Sequence, residues 1–125
     1  MIDDDRSLVQ SIIGLLESLG YAATGFTAAE DFLKSPDLHR SACLILDLRM
    51  PSMSGLELQR RLLSENNRTP VIFITADGGQ DISNEALRRG AVAFLRKPFD
   101  QESLLRALRS ALDQRKGPTD PGKSD

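Results

Sequence analysis

Tryptophan is absent from the 125-residue sequence, and cysteine, tyrosine and histidine occur once each. The single cysteine, Cys43, cannot form an internal disulfide, so we expect a reducing compartment, the cytoplasm. No apolar stretch approaches the roughly 18 residues of a membrane-spanning helix, so no insertion into a membrane is expected. The net charge is only -2 at pH 7. Overall charge therefore gives no reason to expect this chain itself to bind nucleic acid or a membrane surface.

What the sequence does contain is an alternation of short apolar runs with amphipathic segments. The runs "CLILD" and "VIFIT" are continuous enough to predict strands buried on both faces, and "AVAFLR" and the weaker "YAATGF" predict two more. Predicted helices lie between the strands, over residues 7–19, "TAAEDFL", "SGLELQRRLL", "SNEALRRG" and "DQESLLRALRSALDQR". Strand and helix in alternation predict an α/β fold with a parallel sheet covered by helices on both faces.

Capping signals mark the starts of the predicted helices, and a change in composition near the end of the chain marks the end of the domain. Thr27 with Glu30, and Ser54 with Glu57, match the capping-box pattern, and Asp100 is the expected N-cap of the last helix. From Lys116 onward the chain is polar and rich in proline and glycine. We therefore predict one domain over residues 1–115 and a linker or disordered tail over residues 116–125.

Polar side chains are concentrated where the predicted strands end. Ligands of open parallel sheets bind beyond the carboxyl ends of the strands, so residues at these ends share one rim. Three acids, one hydroxyl and one ammonium occupy such positions: Asp3, Asp4, Asp47, Thr75 and Lys97.

These residue types suit the chemistry of a phosphoryl group. Clustered carboxylates repel one another unless a cation lies among them, and carboxylate oxygens suit Mg²⁺. A carboxylate beside such a cation can attack phosphorus and form an acyl phosphate. Lysine supplies charge, and threonine a hydrogen bond, for phosphoryl oxygens. The pattern indicates transfer of a phosphoryl group onto an aspartate.

The same motifs resemble the receiver domain of two-component response regulators. The resemblance rests on "DDD" at 3–5, "LDLRMPSMSG" at 46–55, "ITA" at 74–76 and "FLRKPF" at 94–99, and it runs from Ile2 to about Arg115. The stretch "DLRMPSMSG" is further similar to receivers that carry a helix-turn-helix output domain.

The resemblance implies a doubly wound, flavodoxin-like three-layer sandwich with a parallel sheet of order 2-1-3-4-5. It implies that a histidine kinase or phosphotransfer protein donates a phosphoryl group in a Mg²⁺-dependent reaction. Output, expected to be control of transcription, would come from a domain outside these residues. No turnover of a separate substrate is expected.

The resemblance also implies a role for individual residues of the metal and acceptor site. Asp47 would be the phosphoacceptor, Asp4 would bind the metal directly, and Asp3 would bind it through water. The backbone carbonyl of Arg49 would complete the protein ligands. Lys97 would pair with the phosphoryl group.

Further residues would respond to the phosphoryl group or control its lifetime. Thr75 would move to bond it, Phe94 would turn inward, and the small Ala76 would leave the donor's path open. Arg49 and Asp77 would flank the site and slow hydrolysis. Pro98 is expected to follow a cis peptide bond. The affected surface, residues 82–112, would then mediate self-association or contact with an output domain.

Less specific interpretations remain for several of these residues. Asp3 and Asp4 could be part of a solvated terminus, Asp5 fits an N-cap better than a metal ligand, and Phe94 could be ordinary core. A phosphatase with an aspartate nucleophile would usually need a second acid at position 49, which is Arg. The more serious alternative is an interaction module with this fold that is never phosphorylated.

The opening "MIDDD" leaves only Met1 and Ile2 for the first strand, whereas a strand usually needs about five or six residues. We therefore expect that the physiological protein begins several residues upstream. In the chain as written we expect a stub in place of the first strand and a loosened "YAATGF" strand. Asp3 and Asp4 are expected to be held less firmly than Asp47.

Overall fold

The computed structural model describes residues 1–76 and 80–115. Asp77 and the tail predicted over residues 116–125 lie outside the described residues. The helices are α1 (Arg6–Ser18), α2 (Ala29–Leu33), α3 (Gly55–Ser64), α4 (Gln80–Arg88) and α5 (Gln101–Arg115), with a 3₁₀ helix over Pro36–His39. The strands are β1 (Leu44–Asp47), β2 (Val71–Thr75) and β3 (Ala93–Arg96).

The three strands form a parallel sheet in the order β1-β2-β3. Leu46 pairs with Phe73, and Phe73 pairs with Phe94 on the other side. This register brings the carboxyl ends of all three strands to one edge of the sheet, because parallel strands run in the same direction.

Ile2 extends the sheet beyond β1 by a single residue. It forms parallel bridges with Leu46 on one side and with Phe26 on the other. Its N–H donates to the Ile45 carbonyl at 2.8 Å, and its carbonyl accepts from the Asp47 N–H at 2.9 Å. The stub thus lies between Phe26 and β1, where the expected strand order puts the first strand.

The predicted "YAATGF" strand is reduced in the structure to the bridge at Phe26, and residues 21–25 belong to no strand. Next to them, toward the amino end of β1, lies a cleft of about 620 Å³ whose lining includes Tyr21, Ala23 and Leu44. A strand forms only where a neighbour offers hydrogen bonds. Ile2 offers them at one position, so the loosening of this segment is confirmed.

The sheet separates two hydrophobic clusters, and alternate strand residues point into each. Leu46 and Phe73 pack with α2, α3 and α4, whereas Ile45 and Ile72 pack with α1 and α5. Every residue of β1 and β2 is buried. The predicted three-layer α/β arrangement is therefore confirmed.

Of the caps predicted for α2, α3 and α5, those of α3 and α5 are confirmed and that of α2 is wrong. The Ser54 hydroxyl accepts from the Glu57 N–H, and the Glu57 carboxylate accepts from the Ser54 N–H, at 3.2 and 2.9 Å. The Asp100 carboxylate accepts from the Ser103 N–H at 2.7 Å. The capping box predicted for Thr27 and Glu30 does not form. Helix α2 begins at Ala29, one residue later than a Thr27 cap would place it, with the extended Ala28 at its N-cap and no side-chain cap.

Candidate functional site

The ends of four chain segments meet at the carboxyl edge of the sheet. Asp47 is the last residue of β1 and Thr75 the last of β2, while Lys97 directly follows β3 and Asp3 directly follows the Ile2 bridge. The predicted site residues are therefore brought together by the register of the parallel strands. Asp47 and Thr75 are buried at this edge.

Asp3 is the most enclosed acid of the site, with 0% of its surface exposed. One carboxylate oxygen accepts from the Asp5 N–H at 2.8 Å, and the other accepts from the Lys97 Nζ at 2.8 Å. The expectation that Asp3 would be held less firmly than Asp47 is wrong. The backbone of the stub bonds to Phe26 and Ile45, and the Asp3 side chain bonds to Lys97, so both hold Asp3 in place.

Asp4 is exposed, in contrast to Asp3, but its carboxylate reaches the same place. Carboxylate oxygens of Asp3, Asp4 and Asp47 all lie within 4.8 Å of one another, close enough for one cation to contact all three. Asp5 does not join them. It is the N-cap of α1, and its carboxylate accepts from the Leu8 N–H at 3.2 Å.

Asp47 is 5% exposed and has a raised pKa of about 6, against an ordinary value of 3.8. Burial is the largest cause, and the negative charge of Asp3 adds to it. Lys97, whose Nζ lies 3.7 Å from the carboxylate, and the Arg49 N–H, which donates at 3.4 Å, lower the pKa in part. Without a bound cation, the site therefore makes the ionised form of Asp47 costly.

Lys97 bridges the two buried acids. Burial alone would lower its pKa, but the hydrogen bond and charge of Asp3, with the charge of Asp47, outweigh that effect and hold the pKa above its ordinary value. The side chain remains 22% exposed. A permanently charged ammonium is thus positioned between Asp3 and Asp47.

The remaining site residues surround this cluster. The Thr75 carbonyl accepts from the Lys97 N–H at 2.8 Å, and Ala76 next to it is exposed. Phe94 is half-buried on β3, with its ring centre 6.4 Å from that of Phe73. The Lys97–Pro98 peptide bond is cis.

Arg49 is exposed at the mouth of the site, two residues beyond Asp47. Its proposed partner in controlling hydrolysis, Asp77, is not among the described residues. The role of both in the lifetime of a phosphoryl group therefore stays a prediction.

Gly55 supports the site, although sequence reasoning did not single it out. Its N–H donates to the Leu48 carbonyl at 2.8 Å, which draws the start of α3 against the end of β1. A Cβ atom at this position would overlap the Asp47 carbonyl oxygen and lie 3.0 Å from the Phe73 ring. The only signal in the sequence is a glycine directly after the Ser54 N-cap. That position does not require glycine for its backbone angles, so the reason for it appears only in the packing.

Comparison with known proteins identifies the family of this chain. The sequence profile of the response regulator receiver domain matches residues 1–109. The chain belongs to this receiver family. The response regulator protein TodT of Pseudomonas putida is 43% identical over 114 residues, which are 90% of this chain and 49% of TodT. The transcriptional regulatory protein FixJ of Azorhizobium caulinodans is 39% identical over 112 residues, which are 90% of this chain and 53% of FixJ.

The structure of the response regulator StyR superimposes on this receiver with a TM-score of 0.85 at 38% identity, covering 92% of this chain and 58% of StyR. The expected flavodoxin-like fold is therefore confirmed. The receiver spans about half the length of the curated relatives it matches. These likenesses favour a phosphoryl-accepting receiver of two-component signalling over an interaction module that is never phosphorylated. Within the described part of the receiver, no helix combines the length and hydropathy needed to cross a membrane.

Proposed function

We propose that Asp47 accepts the phosphoryl group, which a histidine kinase or a phosphotransfer protein donates. The observation that carries the proposal is the environment of its carboxylate. Asp47 is nearly buried at the carboxyl edge of the sheet, with Asp3 on one side and the Lys97 ammonium 3.7 Å away. No other acid among the described residues ends a fully buried strand.

The donor set fits Mg²⁺. Three carboxylates offer oxygens within 4.8 Å of one another, and their mutual repulsion helps to raise the pKa of Asp47. Asp3, Asp4, Asp47 and the backbone carbonyl of Arg49 would hold the ion. When bound, it supplies positive charge that favours the ionised carboxylates and draws electron density from phosphoryl oxygens.

In the transfer step, a carboxylate oxygen of Asp47 attacks phosphorus. The P–O bond forms as the bond from phosphorus to the donor's histidine nitrogen breaks, and the bonding electrons leave with the imidazole. Lys97 places its charge near the incoming phosphoryl oxygens, and Thr75 offers its hydroxyl to one of them. Thr75 and Phe94 then carry the change from the site into the neighbouring strands.

We place the output of this receiver in transcription control. FixJ is named a transcriptional regulatory protein, and the receiver covers 53% of it. The output domain would therefore lie outside the 125 residues, and the receiver itself would contact no nucleic acid and no membrane. Residues 82–112 would provide the surface for self-association or for contact with the output domain. We place a protein with this role in the cytoplasm.

Turnover of a separate phosphate ester is not expected of this site. An aspartate-nucleophile phosphatase usually has a general acid two residues after the nucleophile, and here that residue is Arg49. Arginine stays protonated at physiological pH and does not donate a proton to a leaving group.

The decisive test is the substitution Asp47→Asn. The change keeps the shape of the side chain but removes the nucleophile, so incubation with Mg²⁺ and a small phosphodonor should add no phosphoryl mass. The matched control is Asp31→Asn on α2, an exposed acid outside the cluster of Asp3, Asp4 and Asp47, which should label like the unaltered protein. Normal labelling of Asp47→Asn would show that another residue is the acceptor.

A further inference from the structure

Helix α4 is connected at both ends to the proposed phosphorylation site. It follows β2, which ends at Thr75, and it precedes β3, which carries Phe94 and leads to Lys97. Its residues Ile82 and Ala86 pack into the same hydrophobic cluster as α3. A rearrangement of Thr75 and Phe94 should therefore alter the packing of α4 against α3. The contacts between these two helices then determine how readily α4 moves.

An ion pair joins α3 to α4. The Arg60 guanidinium on α3 lies 3.2 Å from a carboxylate oxygen of Glu85 on α4, and the Arg89 Nε lies 3.0 Å from the same oxygen. Arg89 directly follows α4 and pairs with Glu85 within one segment, so of these two ion pairs only Arg60–Glu85 links α3 to α4. All three side chains are one-third to one-half exposed, so this pair contributes a small stabilisation.

A buried amide lies at the same contact and opposes that stabilisation. Gln59 on α3 is 3% exposed, and its Nε2 donates to the Ala86 carbonyl of α4 over a long 3.4 Å. Its Oε1 is buried and has no hydrogen-bond partner among the described residues. A buried acceptor without a donor disfavours the arrangement that encloses it.

We propose that Gln59, Arg60 and Glu85 form a latch that sets how easily phosphorylation displaces α4; this proposal rests on phosphorylation of Asp47. The Arg60–Glu85 pair favours the present position of α4, and the unpartnered Gln59 oxygen favours a position that gives it a donor. Because the two effects oppose each other, removing either one changes the balance between the two positions of α4 that a ligand at the site shifts.

Two substitutions at the latch should act in opposite directions. Arg60→Ala removes the interhelical pair, so beryllium fluoride, a phosphoryl mimic, should half-saturate the shift of α4 at a concentration about twofold to fivefold lower. Gln59→Met keeps the side-chain volume and removes the unpartnered oxygen. The Ala86 carbonyl keeps the Ala91 N–H as its donor at 3.1 Å. This variant should therefore need at least about threefold more beryllium fluoride.

The measurement is a titration of the Mg²⁺-loaded protein with beryllium fluoride, followed by the amide resonances of residues 80–96. Arg61→Ala is the matched control, because it removes an arginine pair of the same helix, Arg61 with Glu65 at 3.3 Å, that does not reach α4. Its midpoint should equal that of the unaltered protein. Melting curves without beryllium fluoride establish that each variant is folded.

The outcomes separate the latch from the proposed function. If beryllium fluoride shifts α4 in the unaltered protein but all three variants share one midpoint, the latch is wrong and the acceptor assignment stands. Equal changes in Arg60→Ala and Arg61→Ala would also overturn the latch, because loss of surface charge alone would then explain them. If beryllium fluoride produces no shift of residues 80–96 even in the unaltered protein, the latch fails, and the labelling of Asp47→Asn decides the acceptor separately.

Discussion

Asp3, Asp4 and Asp5 are adjacent in the chain but occupy three different environments. Asp3 is buried and paired with Lys97, Asp4 is exposed beside it, and Asp5 caps α1. The chain changes here from a sheet bridge at Ile2 to a helix at Arg6 within three residues. The carboxylates of Asp3 and Asp4 therefore reach the cation site, one buried and the other exposed, and the carboxylate of Asp5 reaches the helix N-terminus. One run of like charge serves a cation site and a helix cap together.

At the residue scale, the ionised carboxylate of Asp47 should lower the stability of the metal-free receiver at neutral pH relative to acidic pH. Its folded pKa is about 6 and its ordinary value 3.8, so the folded state binds more protons between pH 4 and 6. Stability attributable to this group therefore falls as the pH rises through that window, and the full penalty remains above it. Asp47→Asn should raise the unfolding free energy at pH 7 by on the order of 1–2 kcal/mol, allowing for partial solvent screening.

The measurement is chemical denaturation of the unaltered receiver and of the Asp47→Asn variant, with a chelator present, at pH 7 and at pH 4. The gain from Asp47→Asn should nearly vanish at pH 4, where Asp47 is protonated in the folded protein. Added Mg²⁺ should reduce the gain at pH 7, because it stabilises only the carboxylate. A gain that is the same at both pH values would contradict the burial of a charged Asp47.

At the scale of single elements, the loop from β1 to α3 aligns the acceptor. The loop passes through Ser52 with a φ of 71° and returns to the strand where the Gly55 N–H bonds to the Leu48 carbonyl. The Ser54 capping box then fixes the first turn of α3. The end of β1 and the start of α3 are thereby held in contact, and this contact leaves no room for a side chain at position 55.

Gly55→Ala and Gly14→Ala should have opposite effects on stability. The added Cβ at position 55 meets the Asp47 carbonyl and the Phe73 ring, so we expect a loss of about 1–3 kcal/mol and slower phosphorylation. Gly14 lies inside α1 with nothing within 4 Å of an added Cβ. Alanine there should stabilise the receiver by about 0.5–1 kcal/mol through helix propensity.

Thermal or chemical unfolding, together with the rate of labelling by a small phosphodonor, provides the comparison. Because both substitutions add one methyl group to a helix, Gly14→Ala controls for the chemical change itself. Stabilisation by Gly55→Ala would show that the β1–α3 contact is looser than its geometry indicates.

At the scale of the whole molecule, the two lateral edges of the sheet, at β3 and at Phe26, relate differently to the site. Helix α4 lies between β2, which ends at Thr75, and β3, which leads to Lys97. Helix α2 instead packs beside Phe26, on the far side of the Ile2 stub from β1. A change at the site should therefore spread to one side of the receiver. Residues 82–112 form that side.

Beryllium fluoride with Mg²⁺ should shift amide resonances over residues 82–112 more than those of α2. The physical reason is that Thr75 and Phe94 lie in β2 and β3, and both strands pack against α4 or α5. The same titration on Asp47→Asn should leave both regions unchanged. Equal shifts in α2 and in residues 82–112 would contradict a switch confined to this face.

The alternation of strands and helices, the two buried strands and the rim of acids followed from the sequence, because burial on both faces and the residues at strand ends are local patterns. The sequence alone therefore predicted that Asp47, Thr75 and Lys97 lie at one edge of the sheet, where the structure has them. The caps at Ser54 and Asp100 were equally local, since each needs only a side chain and a backbone N–H three residues apart.

Tertiary structure decided what depends on distant partners. The carboxylate of Asp3 is fixed by Lys97, 94 residues away, so no local pattern could show that it is held as firmly as Asp47. Residues 21–25 form no strand because Ile2 offers them too little to pair with, whatever their own propensity. Gly55 and Gln59 matter through atoms of β1 and α4 that only the folded chain brings close. Sequence specifies which groups are present, and long-range packing determines which of them share a hydrogen bond, a charge or a space.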